Sequence, residues 1–178
     1  MTNQLSVTDW LNQGLRTLAV DGFTALKAEP LAKAMGVSRG SFYWHFTDIG
    51  AFHAALLKHW RDIAAEQIIA NLEATSDKEE RLPLLLRQVF SGKPALENAV
   101  RTWATVLPAA RNAVQAIDRR RLGYVERLLR AYGLSPEIAR ARAQILYWAF
   151  LGFARSEKPL PQPAQHAVFE ELLRIASQ

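Results

Sequence analysis

Apolar residues recur along most of the chain at intervals of three and four positions, the spacing that places side chains on one face of an α-helix. The first such segment carries Trp10, Leu11, Leu15 and Leu18 and ends near Gly22. No hairpin dipeptide joins two alternating apolar runs, so a β-sheet has little support. We therefore predict an all-α fold of about nine helices.

Capping residues and prolines indicate where several helices begin. Ser6, followed by Asp9, approximates a capping box for the first helix. Thr47 is expected to cap a long fourth helix. The Ser-Pro-Glu sequence at 135–137 supplies an N-cap, a first-turn proline and a first-turn acid for an eighth helix. The proline-studded segment 158–163 is predicted to be a loop before a last amphipathic helix.

Residues 31–46 form the most informative segment. Gly36 can supply the left-handed turn that ends a second helix, and Ser38 can cap a short third helix that runs through His45. Two short helices joined by a tight, glycine-containing turn predict a helix-turn-helix. Five apolar residues are expected to pack its helices together: Leu31, Met35, Val37, Phe42 and Phe46.

The other side chains of the third helix are predicted to face outward. They are unusual for a solvated surface, because they include two aromatics, a histidine and an arginine: Arg39, Gly40, Ser41, Tyr43, Trp44 and His45. A helix of this width fits the major groove of DNA, which is ~12 Å wide. By residue type, Arg39 could contact guanine through two hydrogen bonds, and Ser38 and Ser41 could bind phosphates or bases. Burial of these aromatics in a helical core is the other interpretation.

The sequence Gly36-Val37-Ser38, followed by residues 40–46, resembles the turn and recognition helix of the TetR family of transcriptional regulators. The resemblance implies that the first residues of the third helix reach base edges. It also implies that Tyr43 and His45 hold phosphates and that Trp44 packs at the groove surface. With Lys27 as a further phosphate contact, the expected DNA-binding residues are Lys27, Ser38, Arg39, Gly40, Ser41, Tyr43, Trp44 and His45.

The chain departs from the family pattern just after the aromatic block. A Lys-Glu pair usually opens the fourth helix of the family, whereas this chain has Ile49 and Gly50. Ile49 removes an expected phosphate-binding lysine, and Gly50 removes the acid that would complete a capping box with Thr47. We therefore expect weaker contact with the DNA backbone, although amides at the start of the fourth helix could still meet a phosphate.

The resemblance implies a helix-turn-helix DNA-binding domain at 1–48 and a helical effector-binding and dimerisation domain at 49–178. A repressor of this kind binds a palindromic operator as a homodimer and is released by a small, apolar effector. The segment 145–154 is apolar around the whole helix, so more than one neighbour must cover it, either a second subunit or the rest of a monomer. Candidate dimer contacts are Tyr147, Phe150, Leu151, Ala154, Phe169 and Leu172.

Several aromatic and apolar residues of the second domain are candidates to line an effector pocket. They are Phe90, Trp103, Leu107, Tyr124, Tyr147 and Trp148. Aromatics at helical spacing are also what a plain helical core contains, so that interpretation stays open for each of them.

Charge adds little to the case for DNA. The chain carries a formal net charge of +5, but the cations and acids of residues 1–50 cancel. The surplus comes largely from arginines after residue 80, including the run at 119–121, and such runs are commonly solvated helix faces. The hypothesis therefore depends on the geometry of the helix-turn-helix.

Composition and motifs argue against other classes of protein. The chain has no cysteine, and His53 and His59 lack the i, i+4 spacing of a helical zinc site, so we expect no metal and no cofactor. No nucleophile elbow or phosphate-binding loop appears, so an enzyme is not expected. Without a signal peptide or a long apolar span, the protein is expected in the cytoplasm and not in a membrane. The main alternative is a dimeric helical module that presents Tyr43, Trp44 and His45 to a protein partner. A helical enzyme is the weaker alternative.

Overall fold

The computed structural model describes residues 5–92, 94–156 and 160–177, which form helices and connecting turns and no β-strand. The predicted all-α fold is confirmed. Nine helices follow one another along these residues: α1 (Val7–Asp21), α2 (Ala28–Ala34), α3 (Arg39–Tyr43), α4 (Ile49–Arg61, continued by a π-helical segment Asp62–Glu66 and by Gln67–Glu73), α5 (Arg81–Ser91), α6 (Ala95–Trp103), α7 (Pro108–Ala131), α8 (Pro136–Arg155) and α9 (Gln162–Ser177).

The chain divides into two compact units, one of Met1–Ile63 with Ala95–Gln115 and the other of Ala64–Pro94 with Ala116–Gln178. These units are defined by packing. The predicted division at residue 48 instead separates a DNA-binding domain from an effector-binding and dimerisation domain, and it stays a prediction. None of the helices that the described residues form is long and apolar enough to cross a membrane.

Helix α1 provides the centre of the first unit's core. Its capping box is complete, because Ser6 Oγ accepts a hydrogen bond from Asp9 N at 3.2 Å and Asp9 Oδ2 accepts one from Ser6 N at 2.8 Å. Gly22, at φ 78°, ends the helix in a conformation that favours glycine. The predicted apolar face is buried, and Trp10 is completely enclosed. Helix α1 packs against α2, α4 and α6.

The second and third helices form the predicted helix-turn-helix. Gly36, at φ 68°, makes the turn after α2, and Ser38 occupies the N-cap position of α3. Leu31, Phe42 and Phe46 are buried as expected, whereas Met35 and Val37 are only half-buried. The third helix is shorter than predicted, because Trp44 and His45 lie in a turn after Tyr43.

Helix α4 begins differently from the prediction. The N-cap is Asp48 and not Thr47: Asp48 has extended backbone, and its Oδ1 accepts a hydrogen bond from Ala51 N at 2.8 Å. A carboxylate at this position satisfies a free amide and also interacts favourably with the positive end of the helix dipole. The prediction that Thr47 caps this helix was therefore wrong.

In the second unit, α5 packs against the end of α4 (Gln67–Glu73), α8 and α9. Two arginines of α7 hold the π-helical part of α4. Arg121 Nη2 donates to the carbonyl oxygen of Ala64 at 3.1 Å, and Arg120 Nη2 donates to Glu66 Oε2 at 2.9 Å. Burial raises the pKa of Tyr147 to about 12, so its hydroxyl stays protonated and donates to Asp118 at 2.5 Å.

The ends of the last helices agree in part with the sequence. Ser135 Oγ accepts a hydrogen bond from Ile138 N, and Pro136 opens α8 as predicted. Helix α9 begins at Gln162, so Pro163 lies in its first turn and not in the predicted loop. Proline is tolerated there because the first-turn amides have no partner within the helix. Lys158 and Pro159 of the predicted loop lie outside the described residues.

Candidate functional site

The third helix has one buried and one exposed side. Phe42 is completely buried, and its ring centroid lies 5.1–5.4 Å from those of Trp10, Phe46 and Phe52. These contacts attach α3 to α1 and to the start of α4. The exposed side of α3 is thereby held at a fixed orientation on the first unit.

The exposed side carries the aromatic residues that the sequence singled out. Trp44 is 87% exposed and Tyr43 is 46% exposed. The remaining predicted DNA-binding residues differ in burial: Lys27, Ser38, Arg39 and Gly40 are exposed, whereas Ser41 and His45 are half-buried. Burial of Tyr43 and Trp44 in the core of this chain, the other interpretation of the sequence, does not agree with these values.

Arg39 and Tyr43 lie one helical turn apart and contact each other. Arg39 Nη2 donates to the Tyr43 hydroxyl at 3.2 Å, and the guanidinium carbon lies 5.6 Å from the ring centroid. The hydrogen bond to Tyr43 raises the pKa of Arg39 above its usual value. The pair therefore presents a permanently charged guanidinium whose position is fixed by its contact with Tyr43.

A groove of about 650 Å³ lies beside this pair, between α2, α3 and the start of α4. Three cationic residues line it, Lys27, Lys33 and Arg39, against a single acid, Glu29. Tyr43 lines it as well. The structure thus brings together three of the predicted DNA-binding residues, because Lys27 precedes α2 whereas Arg39 and Tyr43 both belong to α3.

Sequence reasoning missed Lys33 as a member of this group. Lys33 follows Pro30 by three positions, so the two residues share a face of α2, and both line the groove. That spacing was the available signal. Ile49, at the position where the family usually has lysine, also lines the groove and is half-buried. The groove therefore obtains a cation from α2 and none from the start of α4.

The predicted effector residues are not gathered at one place. Trp103 and Leu107 belong to the first unit, and Trp103 packs edge-on against His53, with ring centroids 5.0 Å apart. In the second unit, Tyr124 and Tyr147 are buried and Trp148 is 64% exposed. Phe90 is the predicted residue that lines the second unit's aromatic cleft, which α5, α8 and α9 enclose.

The predicted dimer residues also divide by burial. Tyr147, Ala154 and Leu172 are buried within the single chain. Phe150, Leu151 and Phe169 are half-buried. The large apolar residues that α8 exposes are different ones: Ile138, Ile145 and Trp148.

The helix-turn-helix matches the model of a known family. Residues 11–56 match the family model described as bacterial regulatory proteins, tetR family. No curated protein matches the chain.

Solved structures match over nearly the whole chain. A TetR/AcrR-family transcriptional regulator from Thermobifida fusca is 18% identical, with 97% of this chain and 96% of that chain covered and a TM-score of 0.63. NemR from E. coli is 18% identical, with coverages of 95% and 96% and a TM-score of 0.69. The multidrug binding protein EbrR, complexed with malachite green, is 20% identical, with coverages of 95% and 96% and a TM-score of 0.67. These likenesses show a shared fold.

Proposed function

We propose that the protein is a transcriptional repressor, because residues 11–56 match the family model of tetR-family bacterial regulatory proteins and the chain shares the fold of solved TetR-family regulators. It binds a palindromic operator as a homodimer in the bacterial cytoplasm and leaves DNA when a small molecule binds. The family consists of DNA-binding transcription factors, which agrees with the expectation that the chain is not an enzyme.

The groove beside Arg39 and Tyr43 is the observation that carries this proposal. DNA is a polyanion, and a groove with three cations and one acid is a favourable place for a phosphate strand. Lys27, just before α2, and Lys33, within α2, contact this strand, while Arg39 reaches a guanine edge in the major groove. Lys33 compensates in part for the lysine that Ile49 replaces.

The other predicted residues complete the DNA contact. Tyr43 and His45 hold phosphates, and Trp44 packs at the groove surface. Ser38 and Ser41 contact phosphate or bases, and Gly40 has no side chain that would keep the helix from the DNA. The exposure of Tyr43, at the end of α3, and of Trp44, in the following turn, supports this assignment, since large aromatic rings otherwise gain little from contact with water.

The exposed apolar residues of α8 support the homodimer. Ile138, Ile145 and Trp148 recur at intervals of seven and three, so they form one stripe along the helix. When a second copy packs its own α8 against this stripe, the stripes of both chains are buried at once, as a two-fold axis requires. Phe150, Leu151 and Phe169 contact the partner at the edges. The buried residues Tyr147, Ala154 and Leu172 support the stripe from within each chain.

Such a dimer presents two recognition helices to DNA. Spacing them by one turn of DNA, about 34 Å, requires an operator with two inverted half-sites. A relative of the same fold, EbrR, holds malachite green, and this supports regulation by a small molecule.

The test is salt-dependent binding to DNA from the promoter region of the protein's own gene. We expect affinity to fall steeply as salt rises, because bound phosphates release counterions. Arg39→Ala and Tyr43→Ala should each weaken binding about tenfold or more. Arg16→Ala, which removes the same charge from an exposed position of α1 outside the groove, is the matched control.

Two results would contradict the proposal that the protein is a repressor. One is a protein without affinity for this DNA at low salt. The other is equal binding by Arg39→Ala, Tyr43→Ala and Arg16→Ala, which would favour the protein-interaction module.

A further inference from the structure

Tyr43 is held by the core of the first unit, although almost half of its surface is exposed. Its ring packs edge-on against Phe42, with centroids 5.3 Å apart and planes inclined by 83°, an arrangement that aromatic pairs prefer. Phe42 is completely buried and contacts Trp10, Phe46 and Phe52. Packing against the core therefore sets the orientation of the Tyr43 ring.

Arg39 takes its position from this ring. Its guanidinium donates to the Tyr43 hydroxyl and lies beside the same ring. No carboxylate among the described residues pairs with the guanidinium within 4 Å, and this includes Glu29 of the groove. A free arginine samples many rotamers, and ordering them on binding costs free energy. The contact with Tyr43 removes part of this cost before DNA is bound.

The hydrogen bond between the two side chains leaves both of them able to bind DNA. A guanidinium has five N–H groups, of which one is donated to Tyr43. Two of the others are enough for the O6 and N7 atoms of a guanine. The Tyr43 hydroxyl accepts from Arg39 through a lone pair, so its own hydrogen is free to be donated to a phosphate oxygen.

The lysines of the groove are not held in this way. Lys27 and Lys33 line the groove with Arg39, but among the described residues neither side chain forms a hydrogen bond or an ion pair. A lysine ammonium is a compact charge on a flexible stem, and it binds a phosphate without the fixed fork that a guanidinium offers. Within this groove, the geometry for reading a base therefore belongs to Arg39.

We propose that Tyr43 is a positioning residue for base readout, which holds Arg39 against one guanine of each half-site while its own hydroxyl donates to a backbone phosphate. The inference rests on the proposed function, since it presupposes an operator. It adds to that function a link between backbone contact and sequence reading. Both contacts pass through one hydroxyl, so DNA bound in a shifted register loses them together.

The experiment uses the full-length protein and labelled duplexes of the operator, located by footprinting in the promoter region of the protein's own gene. One guanine at a time is replaced by 7-deazaguanine, which lacks the N7 acceptor and keeps the base-pairing edge. We expect one such replacement in each half-site to weaken wild-type binding about tenfold. Arg39→Ala should abolish this penalty, which identifies the guanine that Arg39 reads.

Two substitutions of Tyr43 separate positioning from backbone contact. Tyr43→Phe removes the hydroxyl and keeps the ring, so the penalty at that guanine should fall from about tenfold to about threefold. Tyr43→Leu removes the aromatic ring as well and should nearly abolish the penalty, as Arg39→Ala does. Lys33→Ala is the matched control and should keep the full penalty, because Lys33 lines the same groove without a described hydrogen bond to Arg39. Circular dichroism establishes that each variant has the wild-type fold.

The outcomes separate this inference from the proposed function. If Tyr43→Phe and Tyr43→Leu weaken binding to all duplexes equally and keep the full guanine penalty, the inference is overturned and Tyr43 is a backbone contact alone. An Arg39→Ala protein that keeps the penalty at every guanine would also overturn it, while operator binding itself stands. Absence of operator binding by the wild type at low salt would instead refute the repressor, and this inference with it.

Discussion

At the scale of single residues, Lys33 has the most direct consequence for DNA binding. It lines the groove together with Lys27, Arg39 and Ile49, and Ile49 is at the position where the family usually has lysine. If Lys33 contacts a phosphate, it contributes one counterion to those that DNA releases on binding.

We therefore predict that Lys33→Ala lowers the slope of log affinity against log salt by about 0.9 in magnitude per phosphate contact, with little effect on sequence preference. In a two-fold dimer, both copies lose the contact. Fluorescence anisotropy with labelled operator across a salt series measures the slope. Lys58→Ala is the control, because Lys58 is exposed, pairs with Asp62 at 2.9 Å and does not line the groove. Identical slopes for the two variants would exclude Lys33 from the interface.

Gly14 shows how closely two helices of the first unit approach each other. A Cβ on Gly14 would lie 2.7 Å from Phe52 Cζ and 2.9 Å from Leu56 Cδ1, and both of these side chains are completely buried. An added methyl group therefore forces side chains of α4 to move within a packed core.

We predict that Gly14→Ala lowers the free energy of unfolding by about 1 kcal/mol, because overpacking outweighs the gain in helix propensity. The same substitution at Gly123, where a Cβ meets nothing within 4 Å, should raise it by up to about 1 kcal/mol. Urea denaturation followed by circular dichroism compares the two. A stabilised Gly14→Ala protein would show that α1 and α4 do not pack this closely.

At the scale of elements, the start of α4 depends on one side chain. Asp48 satisfies the amide of Ala51, and the adjacent Gly50 offers no carboxylate of its own. Only Thr47 was predicted as the cap, and the path of the backbone gives this position to Asp48 instead.

We predict that Asp48→Ala costs about 1 kcal/mol of stability, whereas Thr47→Ala is nearly neutral. Thermal unfolding of both variants against the wild type measures the difference. Comparable losses of stability in the two variants, or a larger loss for Thr47→Ala, would contradict the assignment of Asp48 as the N-cap.

Helix ends could be predicted where the residues that fix them lie next to them in the chain. Ser6, Gly22 and Ser135 mark helix ends through their own side chains or a positive φ, so these ends could be predicted. The π-helical segment of α4 has no such local mark. Arg120 and Arg121, more than fifty positions away in the chain, hold it. Such a partnership emerges only from tertiary packing.

The same distinction applies to the candidate site. Residues 36–46 are contiguous, so their turn and their exposed aromatics were predicted from local pattern. The groove combines α2, α3 and the start of α4, and for that reason Lys33 was missed. The effector and dimer candidates were chosen for being apolar, which does not distinguish a core residue such as Tyr124 from an exposed one such as Trp148.

At the scale of the whole molecule, function in the proposed mechanism depends on assembly. The α8 stripe of Ile138, Ile145 and Trp148 is exposed in one chain, and a second copy would bury it. A charge in the middle of that stripe would face its own symmetry mate across the two-fold axis.

We predict that Ile145→Glu converts the dimer to monomers and weakens operator binding about a hundredfold or more, because two half-sites are then bound independently. Val20→Glu is the control, since Val20 is 83% exposed on α1 and does not belong to the stripe. Analytical ultracentrifugation gives the assembly state of each. A dimeric Ile145→Glu protein with wild-type operator affinity would require a different interface.

The placement of charge in the helix-turn-helix also bears on how fast the protein finds DNA. Residues 1–50 have no net charge, yet three of their four cations line one groove and three of their four acids do not. The positive charge of this segment is therefore concentrated at the groove. In the proposed DNA-binding role, a duplex attracts this face more strongly than the rest of the segment, so orientation and not overall attraction would accelerate the encounter.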